Sequence, residues 1–204
     1  MNERSGEKHK KAASAKDAAF CVPQIRKTDP VRPPPSVREH HMPESVIRRA
    51  EKRDIPDLLR LLSQVLAVHH SGRPDIFRPS TPEKPLVKYT APELEAMLES
   101  EKHPVYVRET DGKIEGYAFC ELKRLADDNI FTPILTMYID DICVDETARG
   151  KHAGTALYEH VRSEARRIGC HNLTLRVWEF NDPAVSFYTR MGMKTQARIM
   201  EEVL

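Results

Sequence analysis

The chain has little that would suit a membrane, a nucleic acid or an exported protein. Its 204 residues contain no apolar run long enough to span a bilayer, and its 32 basic and 31 acidic residues nearly cancel. The basic N-terminal stretch lacks the apolar segment of a secretory signal. We therefore expect a cytoplasmic protein with neither a membrane nor a nucleic acid as its partner.

Cysteine and histidine are too sparsely placed for a disulfide framework or a metal site. Cys21, Cys120, Cys143 and Cys170 form no CxxC pair, which favours free thiols in a reducing compartment. The neighbouring histidines "HH" at positions 69–70 lack the one-turn spacing of a zinc pair on a helix. We therefore predict no metal.

Residues 1–44 differ in composition from the rest of the chain. They are rich in Lys, Ala, Ser and Pro, end in "PVRPPPSVREHHMPE", and show almost no apolar periodicity. Such a segment buries too little surface to offset its ordering entropy. We predict a disordered tail at 1–44 and one globular domain at 45–204, which is long enough for a proper core.

The first half of the domain predicts a strand, two helices and a hairpin. "SVIRRA" is a short strand candidate, and a helix follows with Asp54 as N-cap and leucines at helical spacing. Thr90 and Glu93 form a capping-box pattern that opens a second helix, roughly Pro92–Ser100. Two alternating stretches then flank Asp111-Gly112, a pair that favours a type I′ turn.

The second half alternates strands and helices. "ILTMYIDDICV" predicts a strand, and a helix follows that ends at Gly169. "HNLTLRVW" predicts another strand, and Asp182 and Gly192 bound a short helix as N-cap and stop. "MKTQARIMEEVL" predicts a final strand. The order β, α, α, β, β, β, α, β, α, β indicates a mixed α/β fold with helices on both faces of its sheet.

The bend before the longest helix of this half has an unusual composition. The six residues from Arg149 to Gly154 contain no Ser, Asp or Asn to cap the helix. Uncapped amides, the helix dipole and the basic Arg149 and Lys151 together predict an anion site. An ordinary turn with solvated basic residues is the alternative.

Two motifs in this region resemble those of the GCN5-related N-acetyltransferase (GNAT) superfamily. "RGKHAG" at 149–154 is similar to its acetyl-CoA-binding motif, and "NDPAVSFYTRMGM" is similar to its next motif through Asn181, Ala184, Phe187, Tyr188 and Gly192. The resemblance covers about Val46 to Leu204. It implies a mostly antiparallel, twisted sheet and the acyl-CoA N-acyltransferase fold, with acetyl-CoA as co-substrate.

The resemblance also implies where acetyl-CoA binds. Pantetheine would pair with the backbone of one strand inside a gap between 138–144 and 173–178, and the bend would hold the pyrophosphate. The implied binding residues are Ile142, Cys143, Val144, Arg149, Gly150, Lys151, His152, Ala153, Gly154, Thr155, Asn181, Ala184 and Tyr188.

One position departs from the superfamily pattern. His152 stands where Gly is usual, and we expect it to fit with a negative φ and its ring turned outward. This departure keeps open the alternative of a catalytically silent acyl-CoA-binding module of the same fold.

Three side chains are catalytic candidates. The resemblance implies that Tyr188 protonates the leaving thiolate; the alternative is an aromatic ring packed on its helix. Asp140 and Asp141 suit the attraction and deprotonation of an ammonium ion; a turn cap and a solvated carboxylate are the alternative. Because neighbours on a strand face opposite ways, we expect only one of the two in the cleft.

The sequence says less about the site that binds the acceptor. "HHSGRPDIF" predicts a loop that walls the acceptor site, and Trp178 and Phe180 are candidates for the pocket lining or for ordinary core. The predicted function is acetyl-CoA-dependent N-acetyl transfer to a primary amine, either a small molecule or a peptide. A homodimer is left open.

Overall fold

The computed structural model describes residues 45–126 and 129–204, so the predicted tail at 1–44 lies outside the described residues and stays a prediction. Short 3₁₀ turns at Lys52–Asp54 and Glu146–Ala148 precede α1 and α3. In chain order the elements are β1 (Ser45–Arg49), α1 (Ile55–Gly72), α2 (Ala91–Leu98), β2 (Val105–Thr110), β3 (Lys113–Leu125), β4 (Ile134–Val144), α3 (Ala153–Ile168), β5 (Asn172–Leu175) and α4 (Asp182–Arg190).

The five strands form one sheet in chain order. Strands β1 to β4 pair antiparallel, and β4 pairs with β5 in parallel. Helix α3 makes the crossover that a parallel pair requires. The predicted mixed, mostly antiparallel sheet is confirmed.

Local signals in the sequence place several of the boundaries. Asp111 and Gly112 have φ of 49° and 78°, as both central residues of a type I′ turn require. Gly169 ends α3 with φ of 84°, and Gly192 follows α4 with φ of 89°. These positions confirm the predicted hairpin and both predicted helix stops.

The sheet is covered on both faces, as predicted. Helices α1 and α2 bury Ile55, Leu58, Leu61, Leu62 and Leu94 against Val105, Val107, Ile114, Tyr117, Phe119 and Cys143. On the other face, α3 buries Leu157, Tyr158, Val161 and Ala165 against Tyr106, Ala118, Cys120, Met137 and Ile139, with α4 packed beside them. Full burial of one such leucine contributes about 1.5–3 kcal/mol.

Glycine at position 116 joins the sheet closely to α3. A Cβ there would lie 2.7 Å from the Cys143 carbonyl oxygen and 3.0 Å from the Leu157 side chain. Because the first contact is with backbone, it cannot be relieved by a rotamer change. Gly116 therefore allows β3, β4 and α3 to approach one another.

The prediction of a final strand at 193–204 is wrong. Residues 194–204 are not a strand, and Ile199 and Met200 are 79% and 86% exposed. A strand depends on backbone hydrogen bonds from a neighbour, and no described strand pairs with this segment. Its adjacent apolar residues also lack the alternation of a half-buried strand.

Two further boundaries differ from prediction. Strand β5 has only four residues and ends at Leu175, three residues before Trp178. Helix α4 is capped by Asn181, whose side chain accepts a hydrogen bond from the Ala184 amide at 3.3 Å. Asp182, the predicted N-cap, occupies the first helical position instead. Both Asn and Asp are good caps, so composition alone does not separate them.

Candidate active site

The parallel strands β4 and β5 separate along their length. They pair from Thr136↔Asn172 to Ile139↔Leu175, and the rest of β4 has no strand partner on that side among the described residues. This opening, the β4–β5 gap, begins after Ile139 and Leu175, slightly farther along both strands than the family resemblance implied. A free strand edge presents unpaired backbone donors and acceptors to a ligand.

A capped turn leads from the open edge to α3. The Asp145 carboxylate accepts from the amide and hydroxyl of Thr147 at 3.0 and 2.7 Å. Arg60 of α1 forms an ion pair with the same buried carboxylate. Hydrogen bonds from Thr147 and the Arg60 guanidinium together hold the pKa of Asp145 far below its usual range. These hydrogen bonds and the ion pair therefore hold the turn that follows β4 in place.

The N-terminus of α3 is not capped in this way. His152 is the N-cap residue but makes no side-chain capping bond, and the first turn contains no acidic residue. Arg149 and Lys151 are exposed just ahead of it, and the Arg149 Nε donates to the Val144 carbonyl at 3.3 Å. Amides, dipole and basic side chains therefore converge beside the open end of β4, an arrangement that suits a phosphate.

His152 adopts a different backbone conformation from the one expected. Its φ is 59° and its ψ is 13°, in the left-handed region, whereas we expected a histidine to fit here with a negative φ. Gly150 lies nearby with φ of 77°. The bend needs positive φ at both positions, and a residue with a Cβ adopts it only at a cost in strain.

The two neighbouring acids of β4 lie on the same side of the sheet. The Lys88 Nζ is 2.9 Å from Asp140 Oδ2 and 3.3 Å from Asp141 Oδ2. The expectation that only one of them enters the cleft is therefore wrong. We refer to Asp140 and Asp141 as the acidic pair.

A β-bulge explains this arrangement. Phe119 pairs with Asp141, and the next residue of β3, Cys120, pairs with Ile139, so Asp140 is an extra residue in β4. The alternation of side chains shifts by one at a bulge. Ile139 accordingly packs on the α3 face, and Asp141 faces the side covered by α1 and α2.

Burial makes the acidic pair unequal. Asp140 is 37% exposed at its side chain, and Asp141 is 10% exposed. Burial raises the pKa of Asp141, and the nearby Lys88 offsets this only in part. Burial opposes the charged form of Lys88, but Asp141 and Asp140 outweigh it and raise the pKa of Lys88.

Two tyrosines complete the surroundings of the acidic pair. The Tyr89 hydroxyl donates to Asp140 Oδ2 at 3.2 Å, and the buried Tyr117 hydroxyl donates to Asp141 Oδ2 at 3.3 Å. Lys88, Tyr89 and Tyr117 were not identified from the sequence. No motif marks them, and Lys88 is more than 50 residues from the acids it contacts.

Tyr188 lies on the other face of the sheet from the acidic pair. It lies on α4, and its ring packs against Phe187 and Tyr158 with centroids 5.2 and 6.4 Å away. Burial, followed by the negative charge of Asp141, raises the pKa of Tyr188 well above its usual value. A phenol in this environment keeps its proton at neutral pH.

An aromatic wall, made of His69, Phe77, Trp178 and Phe180, joins the end of α1 to the segment after β5. His69 stacks on Phe77, Phe77 meets Trp178 edge-on, and Trp178 stacks on Phe180. A Cβ on Gly72 would overlap the Phe180 ring at 2.0 Å. The stretch 69–77, predicted to wall the acceptor site, thus contacts Trp178 and Phe180, the two aromatic residues named from the sequence.

Two of the predicted cofactor residues, Cys143 on β4 and Gly154 in the first turn of α3, lie beside the gap and the bend. Cys143 faces the core, with its Sγ 3.7 Å from the Leu61 carbonyl oxygen, so its backbone alone is offered to the gap. A Cβ on Gly154 would make only ordinary contacts, at 3.5 Å from Val144 and 3.8 Å from Phe187. Folding therefore does not require glycine there.

Within 45–126 and 129–204, no group of three His, Cys, Asp or Glu side chains is arranged to hold a metal ion. The helices of these ranges include none with the length and hydropathy of a membrane span. Cys120, Cys143 and Cys170 are free thiols.

Comparisons with known proteins agree with this geometry. The sequence profile of the acetyltransferase (GNAT) family matches residues 73–193. The BH1408 protein from Bacillus halodurans, solved as a point mutant, is 32% identical, with a TM-score of 0.72 over 78% of this chain and 99% of its own. No curated protein sequence matches the chain significantly.

Two enzymes with lower identity share the fold. Glucosamine-6-phosphate N-acetyltransferase from Arabidopsis thaliana is 21% identical, with a TM-score of 0.56 over 78% of this chain and 98% of its own. The aminoglycoside N-acetyltransferase AAC(6')-Iy, solved in complex with CoA, is 14% identical, with a TM-score of 0.58 over 81% and 97%.

Proposed function

Because the chain belongs to the GNAT family of acetyltransferases, we propose that it transfers an acetyl group from acetyl-CoA to a primary amine. The acceptor is a small-molecule or peptide amine. The observation that carries this proposal is the acidic pair beside the β4–β5 gap, where a primary ammonium, that of Lys88, already lies within 3.3 Å of both carboxylates.

The bend and the open edge hold the acetyl donor. The uncapped amides of α3, with Arg149 and Lys151, bind the pyrophosphate, and the free backbone of Ile142 and Val144 pairs with pantetheine. A β4 amide donates to the thioester oxygen as negative charge develops there. Bound acetyl-CoA supplies the activated acetyl group.

The acidic pair acts on the acceptor. Asp140 and Asp141 attract the ammonium, and a carboxylate, directly or through water, takes the proton that the amine must lose before attack. The buried Asp141, whose pKa is raised by burial, is the better proton acceptor. The exposed Asp140 is the first carboxylate that an incoming cation meets.

Tyr188 donates a proton to the leaving thiolate. The acidic pair and Tyr188 lie on opposite faces of the sheet. In this proposal, deprotonation of the amine and protonation of the thiolate therefore take place on opposite sides of the reacting carbon. The phenol of Tyr188 is protonated at neutral pH, and burial, which raises its pKa, makes it a weaker acid that gives up its proton only as the thiolate charge develops.

The decisive experiment combines binding with turnover. Calorimetry should detect acetyl-CoA binding at micromolar protein, and a panel of primary amines should include an acceptor whose acetylation releases free CoA.

A substitution tests the role of Tyr188. Tyr188→Phe should lower turnover by about 10²–10⁴-fold with little change in acetyl-CoA affinity, because the ring still packs. Tyr158→Phe, on a neighbouring ring, is the matched control and should retain turnover.

The strained His152 leaves one alternative of a different class, a catalytically silent acyl-CoA-binding module. That module would bind acetyl-CoA but release no CoA with any amine, and Tyr188→Phe would then change nothing. Absence of acetyl-CoA binding would exclude both the enzyme and the module.

A further inference from the structure

Lys88 belongs to the loop between α1 and α2 and reaches across to β4. Its Nζ contacts both acids of the pair and lies 5.4 Å from the Tyr89 ring centroid. The side chain is 29% exposed, so the ammonium is accessible from solvent. Asp140 and Asp141 are therefore already paired with a cation supplied by the chain itself.

This cation has the chemistry of the acceptor. The end of a lysine side chain is a primary alkyl ammonium, with three donors and one positive charge. The same carboxylates that suit an acceptor ammonium thus hold an equivalent group. Two ammonium groups held at the same carboxylates repel each other, so that binding of one disfavours binding of the other.

We propose that Lys88 is a tethered competitor that occupies the acceptor's ammonium subsite, so that a cationic acceptor must displace it to bind. This inference rests on the proposed function, because it takes the acidic pair as the acceptor site. It makes Lys88 a specificity-determining residue: acceptors that bind through a positive charge meet competition, and neutral amines do not.

The competition is strong enough to measure and weak enough to be overcome. A partly exposed ion pair contributes little net stability, so its exchange for another ammonium is nearly balanced. A group tethered by a short flexible segment acts at an effective concentration of the order of millimolar. Acceptors that bind more weakly than this would leave Lys88 in place.

A purely structural role for Lys88 predicts a different outcome. If the ion pair serves only to hold the loop against β4, its loss would loosen the loop and disorder the carboxylates. Cation binding would then become weaker or stay the same. Competition predicts instead that the vacated pair, with two uncompensated negative charges, binds cations more tightly.

The test uses Lys88→Met, which keeps most of the side-chain length and removes the charge. Binding of 1,4-diaminobutane to the full chain, measured by calorimetry, should become about two- to fivefold tighter, as expected for the loss of a competing ion pair of this strength. Binding of aniline, which is uncharged at neutral pH, should not change. Lys84→Met in the same exposed loop is the matched control, because the described contacts of Lys84 are backbone bonds to Thr81.

Two further variants connect the gain to the acidic pair. Lys88→Arg keeps the positive charge and should bind the diamine as weakly as the wild type does. Adding Asp140→Asn to Lys88→Met should remove most of the gain. Unchanged or weaker diamine binding by Lys88→Met, or an equal gain for aniline, would overturn the proposal.

Failure of this proposal is distinguishable from failure of the proposed function. If the wild type releases CoA with amines but Lys88→Met binds the diamine no better, competition is wrong and the enzyme stands. If Lys88→Met binds the diamine more tightly but no variant turns over any amine, the subsite is correct and the catalytic function is wrong.

Discussion

Helices α2 and α3 begin in opposite ways. At α2, Glu93 accepts from the amide and hydroxyl of Thr90 at 2.7 and 2.8 Å, so the helix start is closed by the chain's own groups. At α3, His152 makes no capping bond and the nearby charges are basic. We expect the capped start of α2 to serve the fold and the uncapped start of α3 to serve a ligand.

The largest effect should come from removing the cap just ahead of α3. Asp145→Ala deletes the acceptor of the Thr147 amide and leaves Arg60 without its buried partner. We expect a loss of about 3 kcal/mol in the free energy of unfolding, at the low end for a broken buried pair because Arg60 is partly exposed. Denaturant unfolding measures it, and a loss below about 0.5 kcal/mol would show that the turn holds without its cap.

The same carboxylate predicts a pH dependence. The folded-state pKa of Asp145 is depressed by the Thr147 hydrogen bonds and by Arg60, so its stabilisation is complete above the unfolded-state pKa of about 4. It should be lost progressively as the pH falls below that value. Compared with the wild type, Asp145→Asn should show a shallower decline in stability between about pH 5 and pH 3. Parallel declines would assign acid sensitivity to other groups.

A negative charge at the start of α3 should weaken anion binding there, which is the property that we expect to distinguish α3 from α2. His152→Asp places a carboxylate beside amides that we assign to the pyrophosphate, and aspartate tolerates the left-handed conformation better than most residues. Acetyl-CoA affinity should fall by about 30-fold, equivalent to about 2 kcal/mol. Calorimetry tests this, and unchanged affinity would remove the anion site from α3.

The corresponding change at α2 should affect stability alone. Thr90→Ala removes the N-cap hydroxyl that contacts Glu93 and should lower the free energy of unfolding by about 1 kcal/mol. Acetyl-CoA affinity should stay at the wild-type value, because α2 covers the face opposite α3. Thermal unfolding and calorimetry on one sample measure both quantities. A loss of affinity as large as that of His152→Asp would mean that the two helix starts do not differ in function.

The smallest effect concerns strain. His152→Gly relieves a left-handed conformation at φ of 59° and should stabilise the fold by about 0.5–1 kcal/mol. If the imidazole only crowds the phosphate, acetyl-CoA affinity should rise or stay the same. Weaker acetyl-CoA binding by His152→Gly would show that the ring contributes to the site.

Much of the fold followed from short patterns because their causes are local. The Asp111-Gly112 turn, the Thr90–Glu93 box and the glycine stop at Gly169 depend on a few neighbouring residues, and the structure has all three. The two GNAT motifs indicated the family, and the strands separate within the ranges that they implied, although only after Ile139 and Leu175. The prediction of a final strand was wrong, because a strand needs a pairing partner and no local sequence pattern supplies one.

The sequence by itself thus determined the element order up to α4, the uncapped start of α3 and the identity of the candidate acids. Only the tertiary structure decided that Asp140 and Asp141 share a face, because a bulge depends on the register between two strands. It likewise decided that Lys88 contacts them, since a loop and a strand distant in sequence meet only when the sheet and helices pack. Local chemistry selects turns and caps, whereas register and long-range contacts arise from packing the whole chain.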